Sequence, residues 1–199
     1  MKRLFDLVCV FFASIVFSPF IVVVYIAIKL EDGGPAIFKQ ERIGKGGKPF
    51  MLYKFRSMKV NAEKDGKPQL WSGEEDKRLT KVGKFIRNHH LDELPQFWNI
   101  WKGDMSFVGT RPEVRKYVDK YTDEMMATLL LAPGISGEAS LRFKNENEML
   151  AQADDFERCY IEEVLPEKMR INLEYLEKAS IWYDIKLLLR TFIVIFKHD

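Results

Sequence analysis

The sequence predicts an α+β chain that is mostly helical. Three observations predict it: an uncharged apolar run near the N-terminus, one hairpin-shaped stretch, and amphipathic periodicity through much of the remainder. The chain has 199 residues, enough for one ordinary domain with a sizeable core. Its formal charge of +2 is nearly balanced, so bulk charge does not argue for nucleic acid. The two cysteines, Cys9 and Cys159, stand alone. They form neither a disulfide framework nor a metal spacing, and a reducing compartment is the natural reading. There is no internal repeat and no low-complexity tract.

The first element is the apolar run. From Leu7 to Ile28 no residue is charged, about 22 residues, or roughly 33 Å as a helix. That is long enough to span a bilayer. It is too long for a secretory signal and lacks a small-x-small cleavage site. Two features oppose a simple spanning anchor. Pro19 removes the donor to residue 15, which predicts a kink at Ser18-Pro19. The flanks are basic on both sides, Lys2 and Arg3 before, Lys29, Lys39, Arg42, Lys45 and Lys48 after, so positive charge sets no orientation. A spanning helix and one that enters and returns stand equal on these grounds. For a returning helix, the Ser18 hydroxyl can help satisfy the freed backbone.

The next elements follow in order. Two β-rich runs, Ala36 to Ile43 and Phe50 to Arg56, flank the turn-forming "GKGGKP" and read as a hairpin. Asn61 to Glu75 is polar, with two glycines and a proline, and reads as a mobile surface loop. Lys77 to His90 reads as a short basic helix with Val82, Phe85 and Ile86 on one side. In "LDELPQFWNIW", Asp92 is placed to cap a helix and Pro95 falls in its first turn. Leu94, Phe97, Trp98 and Trp101 then follow at i, i+3, i+4 and i+7. "GDMSFVGTRPEV" reads as a loop entering a helix from Glu113 to Leu131, ended by Pro133-Gly134. A second Gly-containing loop, "GISGEASLRF", precedes an amphipathic helix from Glu146 to Leu165. Pro166 opens the next helix. The tail, Ile181 to Phe196, is apolar and aromatic but interrupted by Asp184, Lys186 and Arg190. It reads as an interfacial helix or one packed on the core.

The chemistry-bearing residues concentrate around Asp92 and Glu93. Adjacent carboxylates at a helix start have a plain structural use as cap and dipole partner. Their functional use is one nucleophile or base beside one ligand of Mg²⁺, a hard cation often held by one or two carboxylates and substrate phosphates. Neighbouring carboxylates raise each other's pKa unless a cation intervenes. His89-His90 has no third nitrogen or sulfur ligand at a suitable spacing for zinc. Basic residues recur beside Gly, Ser and Thr: Lys54, Arg56 and Ser57, Arg87, Thr110 and Arg111, and Arg142. Arginine suits bidentate phosphate contacts, and glycine turns add backbone donors. Walker A, GxGxxG and serine-elbow patterns are absent, and the basic residues are interleaved with acidic ones, unlike a nucleic-acid face.

"SP", "KFRSM", "LDELPQFWN", "GDMSFVGTRP" and "PGISGEAS" occur in an order that resembles the bacterial sugar transferases, the monotopic phosphoglycosyl transferases, over nearly the whole chain. It resembles the minimal form, without an extra multi-span N-terminal domain. The resemblance implies transfer of a sugar-1-phosphate from a UDP-sugar to polyprenyl (undecaprenyl) phosphate, with UMP released. This is the first membrane step of bacterial glycoconjugate and polysaccharide assembly. It implies Mg²⁺ as cofactor, Asp92 as nucleophile of a covalent phospho-sugar intermediate, and Glu93 as the Mg²⁺ ligand. Arg111 is implied as a phosphate contact, with Lys54, Arg56, Arg87 and Arg142 as further phosphate or nucleotide-sugar contacts. Thr110 stands where many members have Pro. Ser18 and Pro19 are implied as the bend of a re-entrant membrane helix. The expected organisation is therefore a re-entrant helix over 1–30 and a membrane-associated catalytic domain over 31–199. That domain is helical with interfacial amphipathic helices, on the cytoplasmic face of the bacterial inner membrane. The implied partners are the UDP-sugar, the polyprenyl phosphate and the bilayer, with no nucleic acid; a second copy or downstream glycosyltransferases complete the expectation. A different nucleotide donor, or a non-catalytic partner in glycan assembly, are the competing readings.

Overall fold

The computed structural model describes residues 1–60, 62 and 77–196. Apart from residue 62, the expected loop over 61–75 lies outside them. The described chain is mostly helical with two small two-stranded sheets.

Helix α1 (Lys2–Asp32) runs through Pro19 as a single element. Proline cannot donate to the carbonyl four residues earlier, and the Ser18 hydroxyl donates to that carbonyl, Ile15 O, at 2.8 Å. The helix is long and apolar enough to cross a membrane by length and composition. It is nevertheless tied at both ends. Near its start, Lys2 pairs with buried Asp184, and Arg3 donates to Ile100 O and to Trp101 O. Buried Asp6 accepts from Ser106 Oγ at 2.9 Å and Phe107 N at 3.2 Å. At its far end, Asp32 pairs with Arg56, and Glu31 accepts from Lys81 N at 2.6 Å. Val10, Val24 and Ile28 are buried against the body, whereas Phe12, Val16, Phe20 and Val23 are exposed.

Strands β1 (Ile37–Ile43) and β2 (Pro49–Phe55) pair antiparallel, from Ile37 opposite Phe55 to Ile43 opposite Pro49. They match the expected hairpin within a residue. Helix α2 (Lys81–Asn88) starts four residues later than expected because Thr80 caps it, its hydroxyl accepting from Gly83 N at 2.8 Å. A Cβ at Gly83 would lie 1.9 Å from Ser57 O, so only glycine lets α2 sit on the "KFRSM" segment. A 3₁₀ turn (Leu91–Glu93) leads into α3 (Gln96–Lys102).

Strand β3 (Ser106–Val108) pairs parallel with β4 (Gly134–Ser136), in two segments expected to be loops. The expected helix over 113–131 is instead α4 (Arg115–Val118), α5 (Asp123–Met126) and a 3₁₀ turn (Ala127–Leu130). Thr122 restarts the chain as a cap, accepting from Met125 N at 3.3 Å. The helix expected over 146–165 is likewise broken, into α7 (Glu146–Ala151), α8 (Phe156–Cys159) and a π turn (Tyr160–Val164), after the short α6 (Glu138–Arg142). Pro166 falls in the first turn of α9 (Leu165–Lys178), as expected. Helix α10 (Ile181–Phe196) packs one face on the body and leaves an apolar face exposed. Asp184 and Leu187 are buried on one face, while Trp182, Leu189, Phe192 and Ile193 are exposed.

The apolar core is distributed. One cluster joins Val24 and Ile28 of α1 to Phe55, Ile86 and Leu94. A second joins Val10 to Leu52, Ile100 and Met105. A third, with no residue of α1, gathers Leu150, Tyr160, Val164, Leu165 and Met169. The first two clusters clamp β2 between α1 and α3, and so set the strand that carries Lys54.

Candidate active site

The site is built on the 3₁₀ turn between α2 and α3. The expected capping role of Asp92 is not what the structure shows: α3 starts at Gln96 behind Pro95, and no side chain caps it. The turn is set up by His90, whose φ of 55° makes it the one non-glycine residue with positive φ among the described residues. That left-handed residue is a local backbone cost placed immediately before the carboxylates, as happens where geometry serves a site. Nothing in the composition signals it; the histidine pair drew a metal question instead.

The two carboxylates have different surroundings. Asp92 is buried, and its described ion contact is Lys54 Nζ at 4.0 Å. Burial pushes its carboxyl above the ordinary aspartate range, helped by neighbouring Glu93, while Lys54, Arg87 and Arg111 pull it back down. Glu93 accepts from Lys54 Nζ at 2.7 Å and from Arg111 Nη2 at 2.8 Å, both on Oε1. Burial opposes its ionisation, but the charges and hydrogen bonds of Arg111 and Lys54 hold it well below the usual glutamate range. The same pairing raises the Arg111 guanidinium. Oε2 of Glu93 carries no described contact among these residues.

Three of the five expected basic residues converge here. Lys54 comes from β2, Arg111 from the loop after β3, and Arg87, through its field on Asp92, from the end of α2. The other two go elsewhere. The guanidinium of Arg56 is buried and spent on Asp32, Pro35 O (2.6 Å) and Met58 O (2.9 Å), where it ties the end of α1 to the hairpin. Arg142 pairs with Glu138 at 3.1 Å, which also receives Arg190 at 2.7 Å. Neither contacts the carboxylate pair. Their partners are distant in sequence or paired across α6, so residue type alone could not separate them from Lys54 and Arg111.

Two further residues position the site. Asn99 is fully buried; its Oδ1 accepts from Tyr53 N at 3.1 Å and its Nδ2 donates to Met51 O at 2.7 Å. It thereby locks β2, and hence Lys54, against the helix that follows the carboxylates. A polar residue on the core side of an apolar helix was the available signal. Glu113, two residues past Arg111, is buried and accepts from Tyr160 OH at 2.7 Å. Arg42 Nη1 lies 3.8 Å from it and donates to Pro112 O at 3.1 Å, gripping the loop from the other side. Strand β4 packs against the same loop so closely that a Cβ at Gly134 would lie 2.1 Å from Gly109 N.

No group of three or more His, Cys, Asp or Glu able to hold a metal occurs among the described residues. Two adjacent carboxylates, one with an oxygen that takes no contact among the described residues, match what Mg²⁺ asks of a protein when phosphates and water fill the rest of its shell.

A family model for bacterial sugar transferases matches residues 1–198. The chain belongs to the bacterial sugar transferase family. A UDP-N-acetylgalactosamine-undecaprenyl-phosphate N-acetylgalactosaminephosphotransferase of Aeromonas hydrophila is 39% identical over 197 residues, covering 96% of this chain and 42% of the relative. A UDP-glucose:undecaprenyl-phosphate glucose-1-phosphate transferase of Escherichia coli is 36% identical, over 99% of this chain and 40% of the relative. The chain thus spans about two fifths of the length of these relatives. It spans 85% of an uncharacterized sugar transferase of Bacillus subtilis, to which it is 37% identical over 96% of its own length.

Proposed function

We propose that this sugar transferase moves a sugar-1-phosphate from a UDP-sugar to polyprenyl phosphate, in two displacements at Asp92. In the first, an Asp92 carboxylate oxygen attacks the β-phosphorus of the donor. The bond to the bridging oxygen breaks, and UMP leaves with the electron pair. In the second, an oxygen of the polyprenyl phosphate attacks the same phosphorus and displaces Asp92, giving polyprenyl-diphosphate-sugar and the free carboxylate.

The observation that carries this reading is the asymmetry of the carboxylate pair. Glu93 takes the direct contacts of Lys54 and Arg111, which leaves the neighbouring Asp92 buried and sparsely paired. A carboxylate that is poorly solvated and poorly paired is a better nucleophile than one locked in a salt bridge. Attack on a pyrophosphate needs the anionic repulsion offset, and Lys54, Arg87 and Arg111 supply fixed positive charge around the point of attack. Glu93 would hold Mg²⁺. When bound, that ion supplies charge neutralisation for the pyrophosphate and the departing UMP.

The relatives whose names specify undecaprenyl phosphate and UDP-sugars support the substrate classes. The anchoring of α1 supports a re-entrant placement at the cytoplasmic face of the inner membrane. A straight helix of this length extends roughly 46 Å, yet Lys2, Arg3 and Asp6 bind the same body as Glu31 and Asp32. Ends held by one domain do not separate across a bilayer. The site then faces both a soluble donor and a lipid acceptor.

The test is UMP release from a panel of UDP-sugars with polyprenyl phosphate, for the unaltered chain and for Asp92→Asn. Turnover by the former and its loss in the latter support the reading. Comparable turnover by both sinks the nucleophile assignment.

A further inference from the structure

A groove of about 890 Å³ opens between α1, the hairpin and α3. It is at the upper end of the roughly 300–1,000 Å³ of pockets that bury a whole drug-sized ligand. Its walls are apolar: Ile21 from α1, Tyr53 from β2, and Leu94, Trp98 and Trp101 around α3. Trp98 is 59% exposed although it belongs to a well-packed helix, and Trp101 donates its indole N–H to Ser14 of α1 at 3.3 Å. Large exposed apolar surface of this kind marks a binding or membrane surface.

We propose that this groove holds the phosphate-proximal isoprene units of the lipid acceptor. The inference rests on the transferase reading above and says where in the molecule that substrate lies. Three observations select this occupant. First, the groove is walled by α1, the one candidate membrane helix among the described residues, so it opens onto the surface that would meet acyl chains. Second, it reaches the edge of the carboxylate turn: Leu94, which lines it, directly follows Glu93, while Lys54 approaches Glu93 from the opposite face of the strand to Tyr53. A chain lying in it would bring its head group to that turn. Third, its polar lining includes two cations. Lys39 lies 5.8 Å from the ring centroid of Tyr53, and Lys102 pairs with Asp104 at 2.8 Å. Apolar walls with lysines suit a hydrocarbon that ends in a phosphate. Tryptophan and lysine together also suit the head-group level of a bilayer.

The experiment uses the full chain in lipid nanodiscs and a polyprenyl phosphate with a photoreactive group on its first isoprene units. Crosslinks mapped to Ile21, Trp98 or Trp101 are expected. Phe12, Val16 and Val23 fall on the opposite side of α1 at 100° per residue and are exposed. Labelling confined to them reports ordinary bilayer contact and overturns the proposal. So does a dimer in which a second copy shields Trp98 from the probe. A kinetic arm reads the same groove: Trp98→Ala should raise KM for the acceptor at least about tenfold relative to KM for the UDP-sugar. An unchanged ratio overturns it. A protein that labels at Trp98 but transfers from no UDP-sugar keeps the groove and sinks the transferase reading, so the two failures are distinguishable.

Discussion

Two carboxylate clusters lie on either side of Arg111, and they are treated in opposite ways. Glu113 is enclosed. Tyr160 donates to it at 2.7 Å, and Arg42 and Lys168 stand 3.8 and 3.7 Å away. Lys168 is also paired with Glu146 at 2.9 Å, so two cations face two carboxylates and the network closes. Burial and Glu113 push the Tyr160 phenol far up, which keeps it a donor. The pair at Asp92 and Glu93 does not close. Both close contacts fall on one oxygen of Glu93, and Asp92 is buried beside them at 4.0 Å from Lys54. A closed network holds a loop in place; an open one can accept a phosphate. The residues between the two, Arg111 and Pro112, carry the geometry of the first into the second.

The largest effect belongs to the open cluster. Asp92→Asn should lower sugar-phosphate transfer by about 10⁴-fold or more, as loss of a covalent nucleophile does. The same variant should melt no lower than the parent. Burial raises the Asp92 pKa, so its ionised form costs the fold free energy at every pH above the ordinary aspartate value, and the amide removes that cost. Thermal unfolding in detergent at pH 7 checks the sign. Glu113→Ala reverses the pattern. It leaves buried Lys168 and half-buried Arg42 with one carboxylate fewer, and should cost about 3–5 kcal/mol of stability, read as a large fall in melting temperature. Next comes Arg111→Ala, with an expected loss of roughly 10²-fold in kcat/KM from removing one fixed donor. Tyr160→Phe should cost only about 1 kcal/mol, the worth of a single hydrogen bond.

The pH dependence sharpens the contrast within the open cluster. The proposed attack needs Asp92 ionised, so the acid limb of activity should lie above the ordinary aspartate value. It should move further up in Lys54→Met, because Lys54 is the strongest opposing charge. Glu93 contributes with the other sign. Its pKa is lowered, so the stability from its pairing with Arg111 and Lys54 is complete above the ordinary glutamate pKa and is lost as the pH falls below it. An acid limb that stays in place in Lys54→Met would contradict the assigned coupling.

Much of this was legible in the sequence because it is local. The hairpin announces itself by two β-rich runs around a glycine turn, and the observed strands agree within a residue. The adjacent carboxylates are visible as such. What was illegible depends on contacts far along the chain. Strands β3 and β4 have three residues each, too few for a periodic pattern, and exist because Ser106 and Gly134 meet across the fold. Two expected long helices are broken where Thr122 and Asp155 act as caps. Arg56 and Arg142 carry the same charge as Lys54 and Arg111, but Asp32 and Glu138 claim them first. The Ser18-Pro19 element falls between these cases. The local expectation that Ser18 compensates the freed carbonyl is met at Ile15 O, while the joint anchoring of both helix ends needed the fold.

The central claim is that Asp92 becomes covalently bonded to the phospho-sugar. Incubation with a UDP-sugar in the absence of acceptor, followed by mass analysis of the intact chain and its peptides, tests it most directly. One phospho-sugar adduct is expected, located at Asp92 and discharged when polyprenyl phosphate is added. Release of UMP on full turnover with no adduct at Asp92, or an adduct on another residue, would contradict it.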